Sequence, residues 1–244
     1  MGSTMIKNVS KRYSSGKDNP FVLDDLSLEI REGEFVCVLG KSGCGKSTLL
    51  NLIAGYIQPD FGEIYSDGEL VTGPSQNRGV VFQEHALFPW YTVYQNIAFG
   101  PRINKNPKKD EIADRYLKMI GLEEYRNYYP RELSGGMKQR VGIARAFAND
   151  PKILLMDEPF SALDPTTRQA MREELLTLWQ ESRKTVIFIT HDIAEAVYLA
   201  DRVVVLNHGK VSMDECIDIP RPRDIHSDVF LSLSDRFETE IHQE

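Results

Sequence analysis

Short apolar runs alternate along the chain with segments of helical periodicity. Four of these runs are apolar at nearly every position, namely residues 34–39, 152–156, 185–190 and 202–206. Such runs are typical of parallel strands that are buried on both faces. Residues 5–13 and 22–30 alternate instead between apolar and polar positions, as half-exposed antiparallel strands do. The pattern predicts an α/β fold with a parallel core and an antiparallel β subdomain.

The middle of the chain has mostly helical periodicity. Asn106-Pro107 resembles an N-cap followed by proline at the first helical position, and Gly121 ends the helix. A second helix is predicted from Asp164-Pro165 to about Ser182. We interpret residues 86–150 as an α-helical subdomain inserted into a single domain, 1–244, whose core comprises residues 1–85 and 151–244.

Composition narrows the possible functions. The net charge of −7 and the scattered basic residues do not favour nucleic acid as a partner. Three cysteines without a CxxC pair indicate neither a disulfide framework nor a zinc site. No apolar run approaches about 18 residues, so we expect no membrane span, and the N-terminus has no apolar region of the secretory type. Any role at a membrane would therefore depend on a partner.

The strongest motif follows the first buried run. Its residues match the pattern G-x-x-x-x-G-K-[ST] and are Gly40, Lys41, Ser42, Gly43, Cys44, Gly45, Lys46, Ser47 and Thr48. Glycines let successive backbone N–H groups point at phosphate oxygens, and the helix expected from Leu49 to Ala54 adds a positive dipole end. Lys46 should reach the β- and γ-phosphates, and Ser47 should hold Mg²⁺. The alternative is a glycine-rich turn without a ligand.

Two acids end another buried run. Asp157 and Glu158 follow four apolar residues, so the strand should deliver them to the sheet edge, beside the phosphate loop of a neighbouring strand. Asp157 is suited to holding Mg²⁺, and Glu158 should point elsewhere, towards the attacking water. A solvated strand end is the alternative for this pair taken alone.

A second glycine-rich segment precedes a predicted helix that ends near Ala148. It reads Leu133-Ser134-Gly135-Gly136-Met137-Lys138-Gln139. Its free N–H groups offer a second anion site, although a flexible turn is the alternative. Since the first loop already cradles one ATP, this second site suggests a nucleotide that is bound to another copy of the chain.

On these residues the chain resembles the nucleotide-binding subunits of ATP-binding cassette transporters, over nearly its whole length. The resemblance rests on the phosphate loop, Gln83, residues 133–139, Asp157-Glu158, Ser161-Ala162-Leu163-Asp164 and His191, in the family's order. It implies a P-loop NTPase core of the RecA-like type. It also implies a head-to-tail homodimer that encloses each ATP between the phosphate loop of one copy and Ser134–Gly136 of the other.

The resemblance also implies roles for single residues. Glu158 would be the catalytic base, with His191, Gln83 and Lys46 as further catalytic residues. Nucleotide contacts would come from residues 40–48 and from Tyr13, Ser134, Gly135, Gly136, Gln139 and Asp164. Metal contacts would come from Ser47, Gln83 and Asp157. Alternatives remain for three of these residues, because Tyr13 could simply pack, Asp164 could be a helix N-cap and His191 could be a surface residue.

The partners are implied in the same way. Residues 84–100 are rich in apolar and aromatic side chains and would receive a transmembrane permease subunit, unless they pack internally. The chain would then lie peripherally on the cytoplasmic face of the membrane, and a periplasmic or extracellular solute-binding protein would act indirectly. Residues 80–90, 155–164 and 219–224 resemble importers for nitrate, sulfonates and taurine. Tyr56 and residues 207–209 depart from that branch.

Competing functions stay open at this point. The chain ends soon after residue 224, so we expect no regulatory domain of the sugar-importer type. An exporter ATPase is the nearest rival, and a cassette acting in DNA repair or translation is another. A nucleotide sensor without turnover is a third, which the presence of Glu158 and His191 disfavours.

Overall fold

The computed structural model describes residues 2–13, 20–84 and 86–242. The chain ends and the expected boundary at residue 85 lie outside the described residues. The expectation of an α/β fold is confirmed, because two sheets and eight α-helices alternate along the described chain.

A six-stranded sheet forms the centre of the molecule. Its strands are β3 (Phe35–Leu39), β6 (Arg78–Val81), β7 (Ile153–Asp157), β8 (Thr185–Ile189), β9 (Arg202–Asn207) and β10 (Lys210–Cys216). Their order is β10-β9-β3-β8-β7-β6, and all pairs are parallel except β10 with β9. The four buried runs therefore form the parallel strands that their apolar character predicted.

A four-stranded antiparallel sheet lies beside it. Its strands are β1 (Thr4–Lys11), β2 (Leu23–Ile30), β4 (Phe61–Ser66) and β5 (Glu69–Leu70), in the order β2-β1-β4-β5. The two early strands match the alternating patterns in the sequence. The sequence analysis did not predict β4, β5, β6 or β10, whose residues are more exposed than those of the central strands.

Helices pack on both faces of the central sheet. The helices are α1 (Lys46–Ala54), α2 (Val93–Ile97), α3 (Phe99–Ile103), α4 (Lys109–Met119), α5 (Gly135–Ala148), α6 (Pro165–Ser182), α7 (Ile193–Leu199) and α8 (Asp228–His242). Helix α1 shares one apolar cluster with the antiparallel sheet, and α6, α7 and α8 share another on the opposite face. Because both faces of the central sheet are covered, the carboxyl ends of its parallel strands form the edge at which a ligand can bind.

Helices α2, α4 and α5 pack around a third apolar cluster, in the expected helical region. One boundary there was wrong: α4 begins at Lys109 with Lys108 as its N-cap, not at Pro107. The side chain of Asn106 accepts a hydrogen bond from Lys108 N at 2.9 Å and so stabilises a turn instead. Gly121 follows the C-cap Ile120 with φ 64°, as predicted for a helix end.

Candidate active site

The phosphate loop connects β3 to α1 and has the conformation that the motif requires. Gly45 is the N-cap of α1 with φ 106°, a left-handed value that favours glycine. A Cβ at this position would lie 2.7 Å from Leu23 Cδ2 and 2.8 Å from Val22 O, so space as well as conformation excludes a side chain. The loop therefore presents backbone N–H groups at the start of a helix, where anions bind.

Lys46 is held inside this loop. Its side chain is buried, and Nζ donates hydrogen bonds to Gly40 O at 2.7 Å and to Lys41 O at 3.0 Å. These two carbonyls place the ammonium within the curve of the loop rather than in solvent. A buried cation in a cradle of N–H groups is suited to the charge of a polyphosphate.

Ser47, in α1, contacts Asp157, at the end of β7, although β7 is not a neighbour of the strand that precedes the phosphate loop. The sequence analysis placed Asp157 on a strand next to that of the phosphate loop, which was wrong, because β8 lies between β3 and β7. Helix α1 packs across this face and brings Ser47 Oγ to 3.2 Å from Asp157 Oδ1. Burial raises the pKa of Asp157, with a smaller contribution from Glu158, while the Ser47 hydrogen bond and Lys46 lower it.

These donors fit a magnesium ion. They do not form a site made of protein side chains alone, since no group of three or more His, Cys, Asp or Glu within residues 2–13, 20–84 and 86–242 could hold a metal. The hydroxyl of Ser47 and the carboxylate of Asp157 are hard oxygen donors, the type that Mg²⁺ prefers when it also binds substrate phosphates. Asp157 is half-buried, and its carboxylate contacts Ser47 at the start of α1.

Glu158 points away from Asp157 and contacts His191. Glu158 Oε2 lies 2.9 Å from His191 Nδ1, and the imidazole is 60% exposed on the surface of the sheet edge. Glu158 adopts φ 42°, a conformation that costs a non-glycine residue roughly 1 kcal/mol or more. Its N–H donates to Ile189 O, and its carbonyl accepts from the backbone and the hydroxyl of Ser161. These hydrogen bonds stabilise Glu158 in its strained backbone conformation.

Gln83 lies just after β6 and contacts Ser161, which is itself bonded to Glu158. Its Nε2 donates to Ser161 Oγ at 3.2 Å, and Ser161 donates in turn to Glu158 O at 3.0 Å. Sequence reasoning quoted Ser161 only as part of a motif and gave it no role. Its position is decided by the turn after β7, which the sequence pattern does not resolve.

Tyr13 and Thr48 lie on the other side of the loop. The Tyr13 hydroxyl is 3.0 Å from Thr48 Oγ1, and the residue is 63% exposed. Next to this loop, a cleft of about 1040 Å³ is lined by residues 20–22 and 24, by 41–44 and by the turn at 207–209. An exposed ring beside the loop is available for stacking.

The second glycine-rich segment lies at the surface of the helical region. Ser134 is the N-cap of α5 and accepts from Met137 N at 3.3 Å, so Gly135 and Gly136 form the first helical turn. Ser134 and Gly135 are exposed, whereas Gln139 is fully buried. The segment thus presents the serine and the glycines, and not Gln139, to a second molecule in this conformation.

A family model described as ABC transporter matches residues 23–161. The chain belongs to the ABC transporter family.

Relatives and solved structures agree with this assignment. An uncharacterized ABC transporter ATP-binding protein of Methanocaldococcus jannaschii is 50% identical over 93% of this chain and 86% of its own length. The nitrate import ATP-binding protein NrtD of Synechococcus elongatus is 44% identical over 88% and 81%, respectively. The taurine import ATP-binding protein TauB of Roseobacter denitrificans is 44% identical over 96% and 84%.

The fold has solved counterparts. A dimeric post-hydrolysis structure of the ATP-binding cassette MJ0796 bound to ADP and Pi superposes with a TM-score of 0.77, at 37% identity, over 89% of this chain and all of that one. The predicted family, the P-loop fold and the ATPase class are thereby confirmed.

In this ABC transporter cassette, the region expected to receive a permease is partly packed and partly exposed. Phe88 packs against Phe99 with ring centroids 4.5 Å apart, and Tyr91 contacts both rings. Trp90, in contrast, is 66% exposed. A neighbouring cleft of about 500 Å³ lies between residues 75–82 and the helical region. None of the described helices is long and apolar enough to cross a membrane.

The sequence analysis did not identify the residues that hydrogen-bond to the neighbours of His191 in this cassette. Thr190 and Asp192 flank His191 and bond to the buried Glu195. Arg168 on α6 contacts Asp192 as well. These residues follow no motif, and only their three-dimensional arrangement identifies them.

Proposed function

We propose that this chain is the ATP-hydrolysing subunit of an importer for a small solute of the nitrate, sulfonate or taurine type. The observation that carries the hydrolytic part is the 2.9 Å contact between Glu158 and His191, next to the Ser47–Asp157 pair. The import part is supported by relatives that are named for nitrate and taurine import. A relative that is named for bicarbonate transport, 45% identical, adds a further small anion to the candidate solutes.

Hydrolysis at this edge requires placement of phosphates and of one water. Residues 40–48, Lys46 among them, would bind the phosphate chain, and Ser47 and Asp157 would hold Mg²⁺, with Gln83 as a further contact. When bound, Mg²⁺ neutralises charge on the β- and γ-phosphates. Glu158 orients the attacking water and accepts its proton as the water oxygen bonds to the γ-phosphorus. The bond between the γ-phosphorus and the bridging oxygen breaks in the same displacement, and ADP leaves with that oxygen. His191 contacts the γ-phosphate and fixes the direction of the Glu158 carboxylate.

The site as described is one half of a dimeric arrangement. Ser134, Gly135 and Gly136 lie on the helical region, and Asp164 on the turn before α6, and we assign them to the ATP of a second copy. Asp164 also accepts from Thr167 N at 3.1 Å, so it serves as the N-cap of α6 at the same time. The dimeric cassette structures at 37% identity support this arrangement.

Closure of the dimer would then move a permease that docks at residues 84–100, on the cytoplasmic face of the membrane. The exposed Trp90 and the adjoining cleft support a docking role for this region. A solute-binding protein outside the membrane would deliver the cargo. Co-purification with the permease, followed by ATPase measurements with and without nitrate, taurine and bicarbonate, tests the import part.

The variant Glu158→Gln tests the hydrolytic part. Removal of the base should lower kcat by about 10²–10⁴-fold while ATP affinity, measured by titration, is retained. The matched control is Glu124→Gln, an exposed glutamate of the helical region, which should hydrolyse ATP at the wild-type rate. Rapid steady-state turnover by Glu158→Gln would refute the assignment.

A further inference from the structure

One guanidinium joins the two loops that flank the candidate active site. Arg168 lies in the first turn of α6, and its Nη2 donates to Leu163 O at 3.0 Å. Its Nη1 donates to Asp192 Oδ2 at 3.3 Å. Leu163 directly precedes Asp164 in the turn assigned to the dimer contact, and Asp192 directly follows His191. The two hydrogen bonds therefore tie these loops to each other.

The Asp192 end of this link is held rigidly. Asp192 is the N-cap of α7 and accepts from Glu195 N at 3.0 Å. Thr190 accepts from Asp192 N at 3.0 Å and donates to Glu195 Oε2 at 2.6 Å. Thr190 and Glu195 are both almost fully buried. His191 thus lies between two residues that are hydrogen-bonded to each other, so a shift of Asp192 would move the backbone that carries the imidazole.

The Leu163 end is held as well. Leu163 is buried in the main apolar cluster, and its N–H donates to Phe160 O at 3.1 Å. Arg168 Nε lies 3.7 Å from Glu195 Oε1, which adds an ion pair on the His191 side. Charge-assisted hydrogen bonds are about twice as strong as neutral ones, so this guanidinium adds a stiff connection to the link between the two segments that runs through Glu158.

We infer that Arg168 is a positioning residue for hydrolysis, which couples the 161–164 turn to His191 so that contact with a second copy fixes the His191–Glu158 geometry. This inference rests on the proposed function, because it requires that the 161–164 turn faces a second copy. Arg168 acts through His191 and does not contact the phosphates. Its removal should leave nucleotide binding intact and slow the chemical step.

The test is Arg168→Gln, with Arg236→Gln as the matched control. Arg236 lies on α8 and donates two hydrogen bonds to Glu215, so its removal is a comparable loss of a guanidinium contact outside the site. Arg168→Gln should lower kcat about tenfold, the loss expected from one charge-assisted contact, with KM for ATP changed less than about twofold. Arg236→Gln should keep the wild-type kcat. Equal kcat values for the two variants would overturn the inference.

A double-mutant cycle with His191→Ala separates positioning from a general loss of structure. If Arg168 acts through His191, Arg168→Gln should have almost no further effect in the His191→Ala background, measured under single-turnover conditions. A tenfold loss that persists there would contradict the inference. Should Arg168→Gln fail to fold, Arg168→Lys keeps the charge but cannot donate to both oxygens with the guanidinium geometry, and kcat should again fall.

Failure of this inference can be told apart from failure of the proposed function. If wild-type protein hydrolyses ATP and Glu158→Gln does not, the proposed function stands whatever Arg168→Gln does. ATP-dependent dimerisation, measured by light scattering in the Glu158→Gln background, should be the same with and without Arg168→Gln. Loss of the dimer in the double variant would instead make Arg168 an interface residue and overturn its positioning role.

Discussion

Ser47 Oγ lies 3.2 Å from Asp157 Oδ1, although the two residues are 110 positions apart and the strand before Ser47, β3, is separated by β8 from β7, which ends at Asp157. The contact exists because the loop of residues 40–45 leads from β3 into α1, and α1 contacts both β8 and β7. Its apolar residues pack with those of both strands in one cluster. The packing of one short helix therefore assembles the two oxygen donors.

The pair predicts a magnesium-specific defect. Asp157→Asn removes the charge that would hold the ion but leaves the phosphate loop unchanged. We expect the affinity for MgATP to fall at least about tenfold, while the affinity for ATP in EDTA stays within about twofold. Titration with and without magnesium measures both. Asp235→Asn on α8, far along the chain from the loop, serves as the control, and an equal loss in EDTA would argue against metal binding by Asp157.

The close packing of α5 on α6 makes a prediction about stability. A Cβ on Gly136 would lie 2.7 Å from Thr167 Cγ2, whereas a Cβ on Gly135 would meet no described atom within 4 Å. Gly136→Ala should therefore lower the free energy of unfolding by about 1 kcal/mol, because steric strain exceeds the gain in helix propensity. Gly135→Ala should not destabilise the protein. Urea unfolding measures both.

Compensation identifies the source of that strain. Thr167→Ser removes the Cγ2 methyl group, so the double variant Gly136→Ala, Thr167→Ser should recover most of the loss. If Thr167→Ser adds its own cost without rescue, the contact between these two positions does not limit the packing of the helices.

Glu195 predicts how stability depends on pH. Burial raises its pKa from the ordinary value of 4.5 to about 7. Between these values the folded protein retains a proton that the unfolded chain releases, so the contribution of Glu195 to stability falls as pH rises through this window. Among the groups that face it, Asp192 also raises the pKa of Glu195. The pKa is lowered by the hydrogen bond from Thr190 and by the charges of Arg168 and Arg172. The buried Cys37 faces Glu195 as well.

The test compares Glu195→Gln with wild type. A glutamine does not titrate, so the variant does not lose this stability as the pH rises. The free energy of unfolding of the variant minus that of wild type should therefore increase by about 2–3 kcal/mol between pH 4.5 and pH 7.5. Urea unfolding at several pH values gives this difference. A difference that stays constant over this range would mean that Glu195 has an ordinary pKa in the folded protein.

Local sequence patterns predicted much of the fold. Strands β3, β7, β8 and β9 could be predicted from their apolar runs, because strands that are buried on both faces are apolar at nearly every position. The more exposed strands β4, β5, β6 and β10 were not predicted. The start of α4 was misplaced because Asn106 hydrogen-bonds within a turn, which uses the same residue type as a helix cap.

The sequence by itself determined the chemistry of the phosphate loop, because the glycines, Lys46 and Ser47 are adjacent and act through local backbone geometry. It also named Asp157, Glu158 and His191 as acids and a base at strand ends. Only the tertiary structure decided that β8 separates β3 from β7, that Ser47 nevertheless meets Asp157, and that Arg168 links Leu163 to Asp192. Those relations depend on strand order and helix packing, which arise from contacts between distant segments and leave no periodic pattern in the chain.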